Sequence, residues 1–345
     1  MRVLVDVGHP AHVHFFRHPL QQLQKVGHEV VVTARDKDVA VALLRAFAIP
    51  HQVIGPRGAG PRREYLQRLA ALVGVIRRTR PDVVTAIGGA FVAPAGRLTR
   101  VPSLVFTDTE HVALDRYLTY PWATRICTPD AFTRDLPRAQ VRYRGLHELA
   151  YLAPARFIPD PAVWRELGLS EGEPYAVVRL VAWRASHDRG QSGLSAEWAR
   201  AAIDRLSARA RVFVTAEGDF PPALRHLRLD VPPHRMHQVL AFARLYLGEG
   251  ATMATEAGLL GTPSVYVSTL VGTMGNFDLL EREGLVHSFR DGAAAVERAA
   301  LLLADAGARP AAAARAASFA ARQIDVPAFV CEQLLDVGSV ARMLG

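Results

Sequence analysis

One segment of this 345-residue chain combines small residues with a carboxylate at a spacing that suits an anionic ligand. Residues 247–263 read LGEGATMATEAGLLGTP, in which an apolar run leads through Gly250 and Ala251 into a helical pattern. Small residues let a ligand approach the backbone, and the N–H groups and dipole of a helix start attract a diphosphate. Thr252 is expected to cap this helix and to bond a phosphate oxygen. Glu256, one turn further along the same face, can accept two hydrogen bonds from a ribose diol. The simpler alternative is a capped helix with an exposed Glu.

Histidine is concentrated in the loop predicted between Gly8 and His18. We expect one or two of these imidazoles to face a cleft, with His14 as a catalytic candidate and His9 and His12 beside the acceptor. A neutral imidazole can take a proton from an acceptor hydroxyl, because its pKa lies near neutrality. A second interpretation is zinc, since His14 and His18 lie four apart on a helix, but no Cys or carboxylate accompanies them. A third is packing and capping only.

A second acidic cluster, Asp108, Glu110 and His111, follows an apolar run that ends at Thr107. Ionisable groups gathered at the carboxyl end of a strand are typical of active sites. Asp108 or Glu110 is expected to activate an acceptor or to orient His111, and the alternative for Asp108 is a helix N-cap.

Three further polar residues and one glycine pair follow other predicted strands. Gly88 and Gly89 allow a substrate to approach the backbone closely, or simply form a tight turn. His187 precedes Asp188, which can hold one imidazole tautomer; the alternative is a surface loop. Asn276 is expected to reach sugar hydroxyls or to cap a helix.

The elements that must position these residues alternate between strand and helix, which predicts parallel sheets covered on both faces. Ligands bind outside the carboxyl ends of such strands, where most of the unusual residues fall. Strands are predicted at 2–7, 29–33, 52–54, 82–87, 103–107 and 125–128, then at 175–180, 212–215, 245–247 and 264–267. Helices are predicted at 15–26, 39–48, 65–78, 91–98, 195–208, 239–243, 252–260, 278–283, 293–304 and 311–344, the last broken at Pro327.

The pattern divides the chain into two similar halves. The stretch 143–161 has weak periodicity and contains Pro154, Pro159 and Pro161, so we expect the domain connection there. We predict an acceptor-side domain at 1–153, a nucleotide-sugar domain at 154–325, and a C-terminal helix at 326–345 that packs back on the first domain.

These motifs resemble those of the prokaryotic DUF354 family. The resemblance rests on GHPAHVHFF at 8–16, FTDTEH at 106–111, GLHELAYL at 145–152, RLVAWRASHD at 179–188 and the segment at 247–263. That last segment is also similar to the lipid II-forming N-acetylglucosaminyltransferase and, more loosely, to UDP-GlcNAc 2-epimerase. The resemblance implies a glycosyltransferase-B fold, in which two Rossmann-like domains have parallel sheets that face each other across a cleft.

The resemblance also assigns roles to individual residues. It makes Glu256 the ribose ligand and the run from Gly250 to Met253 the diphosphate cradle. Arg179, at the end of the first strand of the second half, resembles the basic residue that neutralises a departing diphosphate. Glu249 stands where the family usually has Asp.

The function we expect is a metal-independent glycosyltransferase that uses a nucleotide-diphosphate sugar, with a UDP-sugar favoured and no cofactor. The acceptor would be a sugar or a lipid-linked sugar, in cell-surface polysaccharide or glycolipid synthesis. An epimerase of nucleotide sugars is the second hypothesis. However, such epimerases carry an acidic residue where this chain has Gly88 and Gly89, and an Arg- and Glu-rich loop where it has 268–276. A non-catalytic protein that binds sugar nucleotides is the third.

The composition of the chain limits the classes of binding partner that we expect. The net charge is +8 and comes almost wholly from arginine, which favours anionic ligands. The arginines are scattered without an aromatic platform, so we expect no nucleic-acid partner. No apolar run reaches the roughly 18 to 20 residues that span a bilayer, and the N-terminus lacks a signal-peptide pattern, so we expect a cytoplasmic protein. Cys127 and Cys331 lie too far apart in sequence to suggest a zinc motif.

A basic helix suggests a contact with the inner face of a membrane. Five arginines flank its apolar residues, so the helix is expected to dock on an anionic membrane and to present a lipid-linked acceptor. The alternative is an exposed basic helix face with a buried apolar stripe. These arginines are Arg62, Arg63, Arg68, Arg77 and Arg78.

Overall fold

The chain forms two compact units, each built on one parallel sheet. The computed structural model describes residues 1–35, 39–55, 61–110, 114–136, 140–181, 195–216 and 220–344. The first unit comprises Met1–Tyr151 with Gln323–Gly345, and the second comprises Leu152–Arg322.

The first unit carries a seven-stranded sheet in the order β3-β2-β1-β4-β5-β6-β7, with every neighbouring pair parallel. Its strands are β1 (Arg2–Val7), β2 (Glu29–Ala34), β3 (Gln52–Val53), β4 (Val83–Ile87), β5 (Ser103–Phe106), β6 (Arg125–Pro129) and β7 (Gln140–Tyr143). Its helices are α1 (Pro10–Lys25), α2 (Ala40–Ala46), α3 (Pro61–Thr79), α4 (Val92–Thr99), α5 (Asp115–Leu118), α6 (Leu149–Leu152) and α14 (Val326–Leu344). Helices cover both faces of such a sheet, so its central strands are apolar almost throughout.

The second unit carries a five-stranded parallel sheet in the order β12-β11-β10-β8-β9. Its strands are β8 (Tyr175–Leu180), β9 (Arg211–Ala216), β10 (Leu245–Gly248), β11 (Ser264–Val267) and β12 (Val286–Phe289). Its helices are α7 (Ala162–Glu166), α8 (Ala196–Ser207), α9 (Met236–Phe242), α10 (Ala251–Leu259), α11 (Gly275–Arg282), α12 (Gly292–Ala304) and α13 (Ala308–Ala321), with 3₁₀ turns at Pro222–Leu227 and Pro233–Arg235.

Each sheet reverses its strand order at one point, and the residues of interest lie there. In the first unit the reversal falls between β1 and β4, and in the second it falls between β8 and β10. The crevice outside the carboxyl ends of the strands at such a reversal is the usual ligand site of an open α/β sheet. Arg179 near the end of β8 and the turn after β10 therefore share the expected position.

The predicted fold class is confirmed, and several element boundaries are corrected. The strands β7 and β12 were missed. The predicted loop at 8–18 is mostly helix, because α1 begins at Pro10, where a proline fits the first turn. The break near the C-terminus lies between α13 and α14, and Pro327 sits inside the first turn of α14 rather than at the break.

The basic helix α3 places its apolar stripe in the core of the first unit. Leu72, Val75 and Ile76 are buried, and Leu66 remains exposed. The prediction that Arg68 flanks this stripe at the surface is wrong, because Arg68 is 3% exposed and its Nη2 lies 2.9 Å from Asp6 Oδ2. No helix among the described residues is both long and apolar enough to span a membrane.

Candidate functional site

The turn between β10 and α10 (residues 248–251, the β10–α10 turn) has the open amides that an anion needs. Gly250 is the N-cap of α10, with no side-chain capping bond in the part of the chain that the structure describes, so the prediction that Thr252 caps this helix is wrong. Thr252 instead lies in the first turn. Ala254 donates the first intrahelical hydrogen bond to the Gly250 carbonyl at 3.0 Å. The amides of Ala251, Thr252 and Met253 precede that bond and belong to partly exposed residues, as expected for a helix start that accepts an anion.

Arg179 stands directly beside this turn. It is the penultimate residue of β8, and its Nη1 donates to Thr215 Oγ1 at 2.9 Å. A Cβ placed on Gly250 would lie 3.5 Å from Arg179 Cγ and 3.9 Å from Arg179 Nε, whereas one on Gly248 would lie 2.6 Å from Arg179 Cβ. The guanidinium therefore adds a full positive charge to the partial charge of the α10 N-terminus.

The acidic neighbour of this turn faces the adjacent strand. Glu249 Oε2 accepts a hydrogen bond from the Val181 amide at 2.7 Å, and the Glu249 amide donates to the Arg179 carbonyl at 3.2 Å. Glu249 thus fastens the end of β8 to the end of β10.

Glu256 lies in a buried pair with a histidine that the sequence analysis did not single out. Its Oε1 is 2.9 Å from His237 Nε2, and the two side chains are only 8% and 6% exposed. The alternative of an exposed Glu on a capped helix is therefore wrong. His237 belongs to α9, where Val239 and Leu240 are also buried. A polar residue on the apolar face of a short helix was the available signal.

Two other predicted residues of the second half have different outcomes. Asn276 is the second residue of α11, whose N-cap is Met274, so it does not cap that helix. Its side chain is buried, and Oδ1 has no hydrogen-bond partner among the described residues. His187, together with Asp188, lies outside the described residues.

In the first unit, Asp108 pairs with His147, a residue that the sequence analysis did not single out. Asp108 Oδ2 lies 3.2 Å from His147 Nδ1, and Thr109 Oγ1 donates to Asp108 Oδ1 at 3.0 Å. Burial alone would raise the pKa of Asp108, but the charge and hydrogen bond of His147, with the bond from Thr109, lower that pKa to about 2. Asp108 does not cap a helix, since the next one begins at Asp115, and His111 lies outside the described residues.

The His147 ring is held by its neighbours. The Phe15 ring centroid lies 4.8 Å away, and Tyr143 is stacked on His147 at 6.3 Å with 13° between the ring planes. The His147 side chain is 7% exposed and that of Asp108 is 23% exposed. Asp108 is therefore the more accessible member of the pair, and His147 is its buried partner.

Glu110, the second carboxylate of that cluster, is directed elsewhere. It is buried, and its Oε1 accepts from the Thr133 amide at 3.1 Å and from Thr133 Oγ1 at 3.3 Å. These bonds fasten the segment after β6 to the segment after β5, which is a sufficient structural reason for a carboxylate there.

The histidines of α1 have separate environments. His9 is the N-cap of α1, with Nδ1 accepting from the Ala11 amide at 3.2 Å. His12 Nδ1 accepts from the Gly8 amide at 3.3 Å. Burial, then the charges of His9 and His147, lower the pKa of His12 to about 3, so its ring is neutral near pH 7. His14 is buried against Phe47 and Tyr151, and its catalytic role stays a prediction.

Two different constraints favour glycine at positions 88 and 89. Gly88 has φ of +67°, which favours glycine. A Cβ on Gly89 would lie 2.3 Å from Thr119 Cγ2 and 2.7 Å from Val105 Cγ2. The side-chain space of Gly89 is thus filled by the protein itself, so the tight-turn alternative suffices for it. No group of three or more His, Cys, Asp or Glu residues within the described ranges is arranged to hold a metal ion.

Comparisons with known proteins agree with this architecture. Residues 1–289 match a family described as "Protein of unknown function (DUF354)". The uncharacterized protein MJ0665 of Methanocaldococcus jannaschii is 23% identical over 301 residues, which cover 83% of this chain and 87% of that protein. The UDP-GlcNAc 2-epimerase of Neisseria meningitidis bound to UDP-GlcNAc matches with a TM-score of 0.72 at 13% identity, covering 97% of this chain and 100% of that one. The glycosyltransferase VinC in complex with dTDP matches with a TM-score of 0.63 at 15% identity, covering 98% and 100%.

Proposed function

This chain belongs to the DUF354 family, and from the geometry of its two units we propose that it is a metal-independent glycosyltransferase that uses a nucleotide-diphosphate sugar. The observation that carries the proposal is Arg179 beside the uncapped N-terminus of α10, at the strand reversal between β8 and β10. Preorganised amides and a fixed cation stabilise the negative charge that grows on a departing diphosphate.

The second unit would hold the donor. The amides of Ala251, Thr252 and Met253 bind the diphosphate, Arg179 neutralises it, and Glu256 accepts hydrogen bonds from the ribose. Asn276, whose buried Oδ1 has no hydrogen-bond partner within the described ranges, would accept a hydrogen bond from a sugar hydroxyl. A buried acceptor without a partner costs free energy, which a ligand hydroxyl would recover.

The first unit would hold the acceptor. Asp108 is ionised at neutral pH and partly exposed, so it can accept the hydrogen bond of an acceptor hydroxyl. As that oxygen bonds to the sugar carbon and the diphosphate departs, the hydroxyl proton passes to Asp108. His12, neutral with its Nδ1 engaged by Gly8, presents Nε2–H as a donor to the acceptor rather than as a base.

The acceptor that we propose is a sugar or a lipid-linked sugar of cell-surface polysaccharide or glycolipid synthesis, made in the cytoplasm. The resemblance to the lipid II-forming enzyme supports this choice. The exposed Leu66, with the exposed Arg62 and Arg63 beside it, would contact an anionic membrane. Co-sedimentation with anionic but not with neutral vesicles tests that contact, and equal recovery in the supernatant with both would contradict it.

A thermal-shift panel with UDP, GDP, dTDP and ADP tests the donor site. A ligand at about 100 times its Kd stabilises the native state by about 2.7 kcal/mol, which gives a measurable rise in Tm. At least one diphosphate should stabilise the protein, and Glu256→Ala should lose most of that shift while His226→Leu, at an exposed position, keeps it. If no diphosphate raises the Tm of the wild-type protein, the proposal fails.

An epimerase of nucleotide sugars is the second candidate, and one observation favours it. The TM-score with the epimerase, 0.72, exceeds the 0.63 found with VinC. Incubation with UDP-, GDP- and dTDP-sugars in the absence of acceptor separates the two. An epimerase would isomerise the sugar, whereas the transferase would leave it unchanged until an acceptor is added. Binding without turnover across a broad acceptor screen would favour a non-catalytic binding protein.

A further inference from the structure

The pair formed by His237 and Glu256 is the least expected polar feature of the second unit. Both side chains are more than nine-tenths buried, and His237 Nε2 lies 2.9 Å from Glu256 Oε1. Withdrawing a carboxylate from water costs several kcal/mol unless a well-placed partner compensates it. A chain that needed only an α9–α10 contact at this place could make it with apolar residues at no such cost.

The surroundings connect this pair to the β10–α10 turn. Burial raises the pKa of Tyr246; Arg179 opposes that rise, and Glu256 and Glu249 add to it. The Tyr246 hydroxyl also donates to the Gly250 carbonyl at 3.3 Å. Arg179, Glu249 and Glu256 thus all act electrostatically on one phenol that touches the turn, so the carboxylate belongs to the same site as the helix N-terminus.

The geometry of the pair suits one arrangement of hydrogen. An ionised carboxylate only accepts hydrogen bonds, so beside an ionised Glu256 the hydrogen of this contact lies on His237 Nε2. A carboxylate has about four lone-pair directions. The contact with His237 takes up one of them and restrains the orientation of the carboxylate. The centroid of the Phe157 ring lies 6.4 Å from that of His237, and the two ring planes are nearly perpendicular.

We propose that His237 is a positioning residue for nucleotide recognition, which orients Glu256 toward the two ribose hydroxyls of a nucleoside diphosphate. This inference rests on the proposed function of the second unit. It adds a residue that does not itself touch the ligand and that sets how strongly the site distinguishes ribose from a sugar without those hydroxyls.

The test compares UDP with 2′,3′-dideoxy-UDP by isothermal titration calorimetry, using GDP or ADP and the corresponding dideoxy diphosphate if one of those gives the larger thermal shift. The wild-type protein should bind the ribose form at least about tenfold more tightly, a ratio equivalent to about 1.4 kcal/mol. Glu256→Gln and His237→Leu should both reduce the ratio to about threefold or less. The first substitution weakens the hydrogen-bond acceptor at position 256, and the second misorients it. His237→Gln, whose amide donor reaches about as far as Nε2, should restore part of it, and His226→Leu should leave it unchanged.

The outcomes separate this inference from the proposal on which it rests. If no diphosphate binds the wild-type protein, the proposed function fails. If the diphosphate binds and Glu256→Gln loses the ribose preference, but folded His237→Leu keeps it, the positioning role is refuted while the function stands.

A measurement on the unmodified protein covers the case in which His237→Leu does not fold. In ¹⁵N-histidine-labelled protein, the signal assigned with His237→Gln should show a hydrogen on Nε2. That signal should move more with the ribose nucleotide than with its dideoxy form. A hydrogen on Nδ1 alone, or equal responses to both nucleotides, would overturn the inference.

Discussion

Replacing His12 by Gln tests whether the ring beside Asp108 is neutral in the folded protein. The pKa of His12 falls from the usual 6.5 to about 3, first because of burial and then because of the nearby charges of His9 and His147. Between those two values the unfolded chain binds a proton that the folded protein does not. The free energy of unfolding therefore declines as pH falls below about 6.5, and it keeps declining until the folded ring itself is protonated near pH 3.

The size of this effect follows from the shift. Each pKa unit corresponds to about 1.4 kcal/mol, so at pH 5.0 the histidine costs the wild-type protein about 2 kcal/mol, and at pH 7.5 it costs close to nothing. Glutamine does not titrate, and its amide can also occupy the space near Gly8. The quantity to compare is the urea midpoint of His12→Gln minus that of the wild-type protein. This difference should be larger, in favour of His12→Gln, at pH 5.0 than at pH 7.5.

The assay is urea unfolding of both proteins at the two pH values, with an unchanged m-value required for the comparison. Asp108 does not contribute in this window, because its pKa of about 2 places its loss of stability below pH 4. The matched control is His51→Gln, which lies outside the site. If the difference between wild type and His12→Gln is the same at pH 5.0 and 7.5, the pKa of His12 is not lowered in the folded protein and its assignment as a neutral ring is refuted.

Two further predictions concern packing in each unit. Gly248→Ala should destabilise the second unit by about 1 to 3 kcal/mol in thermal unfolding, because its Cβ would lie 2.6 Å from Arg179 Cβ. Gly250→Ala, whose nearest contact would be 3.5 Å, should stay within about 0.5 kcal/mol of wild type yet bind the diphosphate more weakly. Equal melting temperatures for the two variants would contradict this contrast. In the first unit, Arg68→Met should cost about 3 to 5 kcal/mol in urea unfolding because it leaves the carboxylate of Asp6 buried and unpaired, and Asp6→Leu combined with Arg68→Met should recover much of it. A double variant as unstable as the single one would refute that explanation.

Most helices and strands could be predicted because the sequence patterns that indicate them are local. Apolar runs such as Val3 to Val5 and helix patterns bounded by Gly or Pro placed most elements within a few residues. The strands β7 and β12 were missed because their sequences, QVRY and VHSF, are short and carry polar residues at half their positions. What makes them strands is pairing with β6 and β11, which no local pattern records.

The sequence places Asp108, Arg179 and Glu256 near strand ends, and their roles in a site stay predictions. The residues that pair with Asp108 and Glu256 were not singled out from the sequence. These partners come from elsewhere in the chain. Asp108 follows β5, whereas His147 follows β7, and β6 lies between these two strands in the sheet. His237 lies on α9, the helix before β10. Such pairs depend on strand order and helix packing, which the spacing of residues along the sequence does not determine. The spacing of the histidines in α1 likewise does not show that His14 is buried against Phe47, and its catalytic role stays a prediction.

The central claim is that the second unit binds a nucleoside diphosphate at the start of α10. A crystal structure of the protein with UDP, or with whichever diphosphate gives the largest thermal shift, tests it most directly. The account predicts phosphate oxygens on the amides of Ala251 to Met253, Arg179 beside them, and ribose hydroxyls on Glu256. A nucleotide bound elsewhere, or a β10–α10 turn closed by side chains in the presence of saturating nucleotide, would contradict it.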